Sequence, residues 1–155
     1  MRNNAMSMPT HPRQAECPFR LLEWTSNDSV GHRLIDDQHK GLYQLYNRLV
    51  INVYCQCPDL NIIAIDSAEF YRILAAHCDQ EEDIMRALKY SSISKHVEHH
   101  RFYIKSLRDL LTDNPNPAAL RISTTYLRSI ITDHVDRDDR DFGTFLSSHG
   151  IWGLV

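Results

Sequence analysis

Long apolar runs, basic runs, C-x-x-C cysteine pairs and glycine are what this 155-residue chain has least of. No apolar stretch approaches the roughly 18 residues of a membrane span, so no membrane segment is expected. Lysine and arginine number 17 against 20 aspartates and glutamates, a formal net charge of −3. They form no run, and that balance argues against a nucleic-acid binder. The four cysteines are Cys17, Cys55, Cys57 and Cys78, without a C-x-x-C pair. Nothing around Cys55-Gln56-Cys57 resembles a zinc site, so free thiols in a reducing cytoplasm are expected. The first residues, MRNNAMSMPTHPRQAECPF, contain no apolar signal-peptide core. Against five glycines stand nine histidines, and the histidines carry the information.

The length suits one domain with a real core, and 43% hydrophobic with 24% charged residues is ordinary for a globular protein. Residues 1–23 are polar and punctuated by Pro9, Pro12 and Pro18, which predicts an extended N-terminal arm that docks at Trp24. Residues 24–155 form the body. Leu34, Ile35, Leu42, Leu45, Tyr46, Leu49 and Val53 recur at helical spacing from Arg33 on, and Cys57-Pro58-Asp59 ends that helix. A second helix is predicted to open near Asp66-Ser67, with Asp66 and Glu69 as a capping box, and to run to about Leu88. Tyr90-Ser91-Ser92 breaks the pattern before a third helix from about Ser94 to Thr112. Asp113–Asn116 reads as a loop, with Asn116 as cap and Pro117 in the first position of a fourth helix that continues towards Gly150. No window alternates like a strand for long. The expected fold is all-α, an up-down-up-down four-helix bundle.

Seven side chains able to ligate a metal fall on these helices: His39, His77, Glu81, His96, His100, His134 and Asp139. His77/Glu81 and His96/His100 are four apart, which stacks each pair on one helix face. A lone histidine on an apolar stripe is commonly a satisfied core residue. Five histidines and two carboxylates in bundle register point instead to a buried metal centre. The register prefers Glu81 over Glu82 as partner of His77, and His100 over His99 as partner of His96. On the fourth helix periodicity alone chooses Asp138, because Asp139 lies five residues from His134 and is rotated by about 140°. Imidazole and carboxylate without thiolate suit iron, zinc, manganese or copper rather than calcium or magnesium. Seven ligands exceed one tetrahedral zinc and fit two metals bridged by carboxylates. No glutamate has a histidine three residues later, so the centre is not of the ferritin type.

The chain resembles the hemerythrin family, in particular single-domain bacteriohemerythrins. The resemblance is carried by Trp24, Ser29-Val30-Gly31, Ile35-Asp36-Asp37-Gln38-His39-Lys40, His77-Cys78-Asp79-Gln80-Glu81-Glu82 with Met85, His96-Val97-Glu98-His99-His100 with Phe102, and His134-Val135-Asp136-Arg137-Asp138-Asp139. It spans about residues 24–145. It implies a four-helix bundle around two non-haem iron ions with a bridging oxo or hydroxo group, binding O2 reversibly. By position, His96, His100 and His134 hold one iron, His39 and His77 the other, and Glu81 and Asp139 bridge. The resemblance, and not the spacing, selects Asp139. O2 is then bound at the iron that carries two histidines.

Ile131, one turn before His134, is read either as the apolar wall of the O2 pocket, excluding water, or as plain core packing, and Cys78 beside His77 as a second lining residue, packed rather than redox-active. Asp36 and Gln38 are candidates either for supporting the histidines from outside or for the surface. His32, Cys78 and the small pair Ala75-Ala76 depart from the family pattern. The expected function is oxygen carriage, storage or delivery, with no protein partner legible. The alternatives are an O2, redox or NO sensor, and a peroxide or NO reductase. No dedicated acid–base pair stands beyond the ligands, so an enzyme is not the first expectation.

Overall fold

A computed structural model of the chain describes residues 20–54, 58–112 and 117–151, with side chains described except at 111–112 and 117–120. All regular structure among these residues is helical. Helix α1 spans Arg33–Val53, α2 Leu60–Ala87, α3 Ile93–Thr112 and α4 Pro117–Asp133. A six-residue π-helical segment, His134–Asp139, then leads into α5, Arg140–Ser148. Helix α1 packs on α2 and α4, α2 on α3, and α3 on α4, an arrangement compatible with a helical bundle. No helix among the described residues is long and apolar enough to cross a membrane.

The apolar stripes bury as their periodicity requires. Ile35, Leu42, Leu45, Tyr46, Leu49 and Val53 of α1 are all buried. Leu34 is not, being 42% exposed. The loop before α1 is pinned by Asp36, which accepts from Ser29 Oγ at 2.6 Å and from the Val30 amide at 2.9 Å. Where α5 meets that loop, a Cβ on Gly143 would lie 2.7 Å from the Val30 carbonyl oxygen, so only glycine permits this approach.

Two expected boundaries are corrected. Helix α2 starts at Leu60, not near Asp66. Its cap is Asp59, whose side chain accepts from the amides of Asn61 at 2.9 Å and Ile62 at 3.2 Å. Asp66 is an interior helical residue, buried and paired with Arg48 of α1, and Glu69 pairs with Arg72 at 2.7 Å. The opening turns were hidden because Leu60, Ile62 and Ile65 are exposed and only Ile63 turns inward, so no stripe shows. The fourth predicted helix is likewise not one continuous α-helix, because the π segment interrupts it. The breaks at Tyr90-Ser91-Ser92 and at Pro117 stand where predicted.

Of the predicted arm, residues 20–23 are described. They are non-helical, and Leu22 exchanges two hydrogen bonds with Asn47 of α1, at 2.8 and 2.7 Å. Trp24 follows and is half-buried against α1. Residues 1–19, Cys55, Cys57 and the loop at 113–116 lie outside the described residues.

Candidate metal centre

Two apolar clusters fill the interior. One contains Leu42, Leu74, Cys78, Tyr103, Leu107, Ile131 and Val135, and the other Ile35, Met85, Tyr90, Phe142 and Leu146. Along every helix the predicted ligands fall between members of the two. His39 lies between Ile35 and Leu42, Glu81 between Cys78 and Met85, and Asp139 between Val135 and Phe142. All seven are buried, none more than 4% exposed. Polar groups are costly in such a place unless they are paired with one another or with an ion.

Their arrangement points to an ion. His77, Glu81, His100, His134 and Asp139 each bring a ligand atom within 4.8 Å of all the others, a group that could hold a metal. The Nε2 atom of His134 lies 3.2 Å from Nε2 of both His77 and His100. His96 Nε2 is 3.0 Å from Glu81 Oε2 and 3.3 Å from Asp139 Oδ1. His39 Nε2 is 3.0 Å from Asp139 Oδ2. That last contact is close but lacks hydrogen-bond alignment, and both atoms are left without a hydrogen-bond partner, as are Glu81 Oε1, Asp139 Oδ1 and His134 Nδ1. Such a crowd of nitrogens and oxygens, several of them without a hydrogen-bond partner, could hold an ion between them. The donor set therefore fits a bound cation, and it contains enough ligands for two.

The π segment explains Asp139. In an α-helix, residue i+5 points well away from residue i, but in a π-helix the backbone bonds i to i+5 and brings the two back to one side. Asp139 Oδ1 thus stands 3.3 Å from His134 Nδ1 and is fully buried. Asp138, the choice of α-helical periodicity, is displaced outward. Its Oδ2 is 3.7 Å from His134 Nδ1 and accepts from His99 Nδ1 at 2.9 Å.

Outer partners hold the imidazoles. His77 Nδ1 faces Gln38 Oε1 at 3.3 Å, and His100 Nδ1 faces Glu82 Oε1 at 3.1 Å. An Nδ1–H donated outward leaves the Nε2 lone pair aimed at the centre. Gln38 thus has the supporting role anticipated for it, whereas Asp36 serves the loop before α1. Glu82 in this role went unread in the sequence; the signal available was its place beside the inward carboxylate Glu81. Trp24 closes the His39 side, its ring 5.9 Å from the His39 ring and 5.5 Å from that of Tyr43.

Without a metal, protons do the compensating. Burial opposes charge on His96, but Asp139 and Glu81 outweigh it and raise its pKa to about 10. His39 is raised against the same burial by Asp139. Burial dominates at His77, which falls to about 3 and is neutral, ready to ligate. Burial also opposes ionisation of Glu81 and Asp139, yet the surrounding histidines keep both carboxylates charged, below their ordinary range. A cation entering here displaces protons from histidine.

Of the two expected lining residues, Ile131 is 1% and Cys78 3% exposed, both in the larger apolar cluster. Burial, the largest effect, and the carboxylates of Glu81 and Asp139 push the Cys78 thiol well above its usual range, so it is a packed, protonated group. Ala76 of the small pair faces outward. With Gly41, Ile73, Gln38 and Gln80 it borders an outer groove of about 410 Å³ between α1 and α2. His32 is buried ahead of α1, its Nδ1 without a partner.

No protein-family model matches the chain, and no curated protein matches it.

Proposed function

We propose that the chain is a hemerythrin-like up-down-up-down four-helix bundle that holds two non-haem iron ions with a bridging oxo or hydroxo group and binds O2 reversibly. The observation that carries the reading is the approach of the His77, His100 and His134 Nε2 atoms, at 3.2 Å, to a point also faced by unaligned oxygens of Glu81 and Asp139. As the family resemblance implies, His96, His100 and His134 would hold one ion and His39 with His77 the other. Ring spacings pair His96 with His100 at 4.5 Å, His100 with His134 at 4.8 Å and His39 with His77 at 4.7 Å, while His134 stands 5.3 Å from both His96 and His77. Glu81 and Asp139 have oxygens near histidines of both groups and would bridge.

Bound there, ferrous iron supplies the electrons that O2 takes up on binding and returns on release. The residues of the chain supply the rest. Two carboxylates give limited anionic compensation, five imidazoles stay neutral, and Ile131 with Cys78 keeps bulk water from the pocket. The side with only two histidines is the one left open to a small ligand. A binding protein is proposed ahead of a catalyst; the imidazole–carboxylate pair beside the centre, His99 with Asp138, lies outside the proposed ligand set.

The test is an O2 titration of iron-loaded, anaerobically reduced protein followed by visible absorption, then degassing. Charge-transfer bands that appear with O2 and vanish on degassing are expected. Irreversible oxidation at the first addition contradicts carriage and favours sensing or redox catalysis.

A further inference from the structure

The two histidines that face each other across the centre are backed by groups of different charge. His77 Nδ1 meets the neutral amide of Gln38. The Nε2 of that amide donates to Gln80 Oε1, which leaves Gln38 Oε1 turned to the histidine. His100 Nδ1 meets the carboxylate of Glu82, which is only 14% exposed, and whose other oxygen is paired with Arg86. Both supports sit one position outside the ligand layer, on α1 before His39 and on α2 after Glu81.

Resting on the metal reading above, we infer that Gln38 and Glu82 are positioning residues that make the two halves of the centre electrically unequal, with the more anionic half on the His100 side. A carboxylate accepting Nδ1–H makes an imidazole a stronger donor than an amide does. The His96, His100 and His134 half is thereby better suited to hold a metal in its higher charge state. The half of His39 and His77, backed by an amide and covered by Trp24, is the less electron-rich. Arg86 tempers Glu82 from outside, since its guanidinium is paired with Glu82 and Asp83. The centre's potential is therefore set by residues that do not touch the metal.

The test uses the full chain loaded with iron and reads the midpoint potential by spectroelectrochemistry, with iron affinity as a second measurement. Glu82→Gln keeps an acceptor for His100 but removes the charge, so the potential rises while two irons are retained. Gln38→Glu adds a charge at the opposite support and lowers the potential. Arg86→Gln unmasks Glu82 and also lowers it. Gln38→Leu removes the acceptor altogether and weakens iron binding by about 10- to 100-fold. If Glu82→Gln and Gln38→Glu leave the potential at the wild-type value, or move it in the same direction, the inference is overturned while the metal reading stands. A wild-type chain that takes up no iron overturns both.

Discussion

Stripping the metal should destabilise the protein strongly, and the size of the effect can be estimated from the centre itself. Four buried side-chain atoms that a metal would satisfy have no hydrogen-bond partner: Nε2 of His39, Oε1 of Glu81 and both carboxylate oxygens of Asp139. A buried polar atom left unsatisfied costs about 1–3 kcal/mol. Four such atoms would bring the penalty to about 4–12 kcal/mol, the scale of the whole stability of a domain at about 5–15 kcal/mol. Protons on His39 and His96 and any admitted water recover part of that, and a net loss of about 5 kcal/mol remains a moderate expectation. At 2–4 °C per kcal/mol for a chain of this length, Tm then falls by about 10–20 °C. Calorimetry on loaded and chelator-stripped protein measures the difference, with hydrogen exchange showing where protection is lost. Protection should drop first in the π segment and the neighbouring turns of α1 and α2. A stripped sample that melts within about 2 °C of the loaded one would refute the reasoning, because that shift is worth under about 1 kcal/mol.

Three further outcomes follow from the same geometry. Asp139→Asn, which leaves the volume unchanged but removes the carboxylate charge proposed to bridge, should cut iron uptake from two ions to one or none. Asp138→Asn, whose carboxylate bonds His99 rather than a proposed ligand, should keep two ions at near wild-type affinity, and elemental analysis with titration separates the cases. In the metal-free protein, His77 is lowered to about 3 by burial, so stability present at neutral pH is lost as pH falls through 6.5. Glu81, also lowered, adds to that loss below its ordinary 4.5. His96, raised to about 10, contributes stability that is full below 6.5 and is lost as pH rises towards 10. The apoprotein's melting temperature should therefore peak near pH 6.5–7 and decline on both sides; a monotonic profile contradicts the assignment. Finally, Ile131→Ala should cost about 2–5 kcal/mol by emptying a fully buried site and shorten the lifetime of the oxygenated protein, as urea melts and visible spectra can show.

The helices and the convergence of these side chains were largely legible in the sequence because apolar burial and inward placement of polar groups obey the same helical period. The stripes of α1 and α3 and the pairs His77/Glu81 and His96/His100 needed only 3.6-residue spacing. The start of α2 was not legible, since Leu60, Ile62 and Ile65 are apolar yet exposed, and Asp66 resembles a cap while it answers Arg48 across the helix pair. The choice between Asp138 and Asp139 was also closed to periodicity, because it depends on a π segment that no residue in His134–Asp139 announces. Local spacing assumes one helical geometry, and here the backbone changes geometry at the site itself. Gln38 was named as a candidate, but the support Glu82 was harder still. What an imidazole donates to is settled by the neighbouring helix or by a residue out of register with the ligands, which a single sequence does not display.

The most direct test of the central claim is the iron content of the reconstituted chain, measured beside His77→Ala. The account predicts two irons per wild-type chain and loss of at least one in the variant, together with loss of O2-dependent absorption. A wild-type chain that holds none, or a variant that still holds two and still oxygenates, would contradict it.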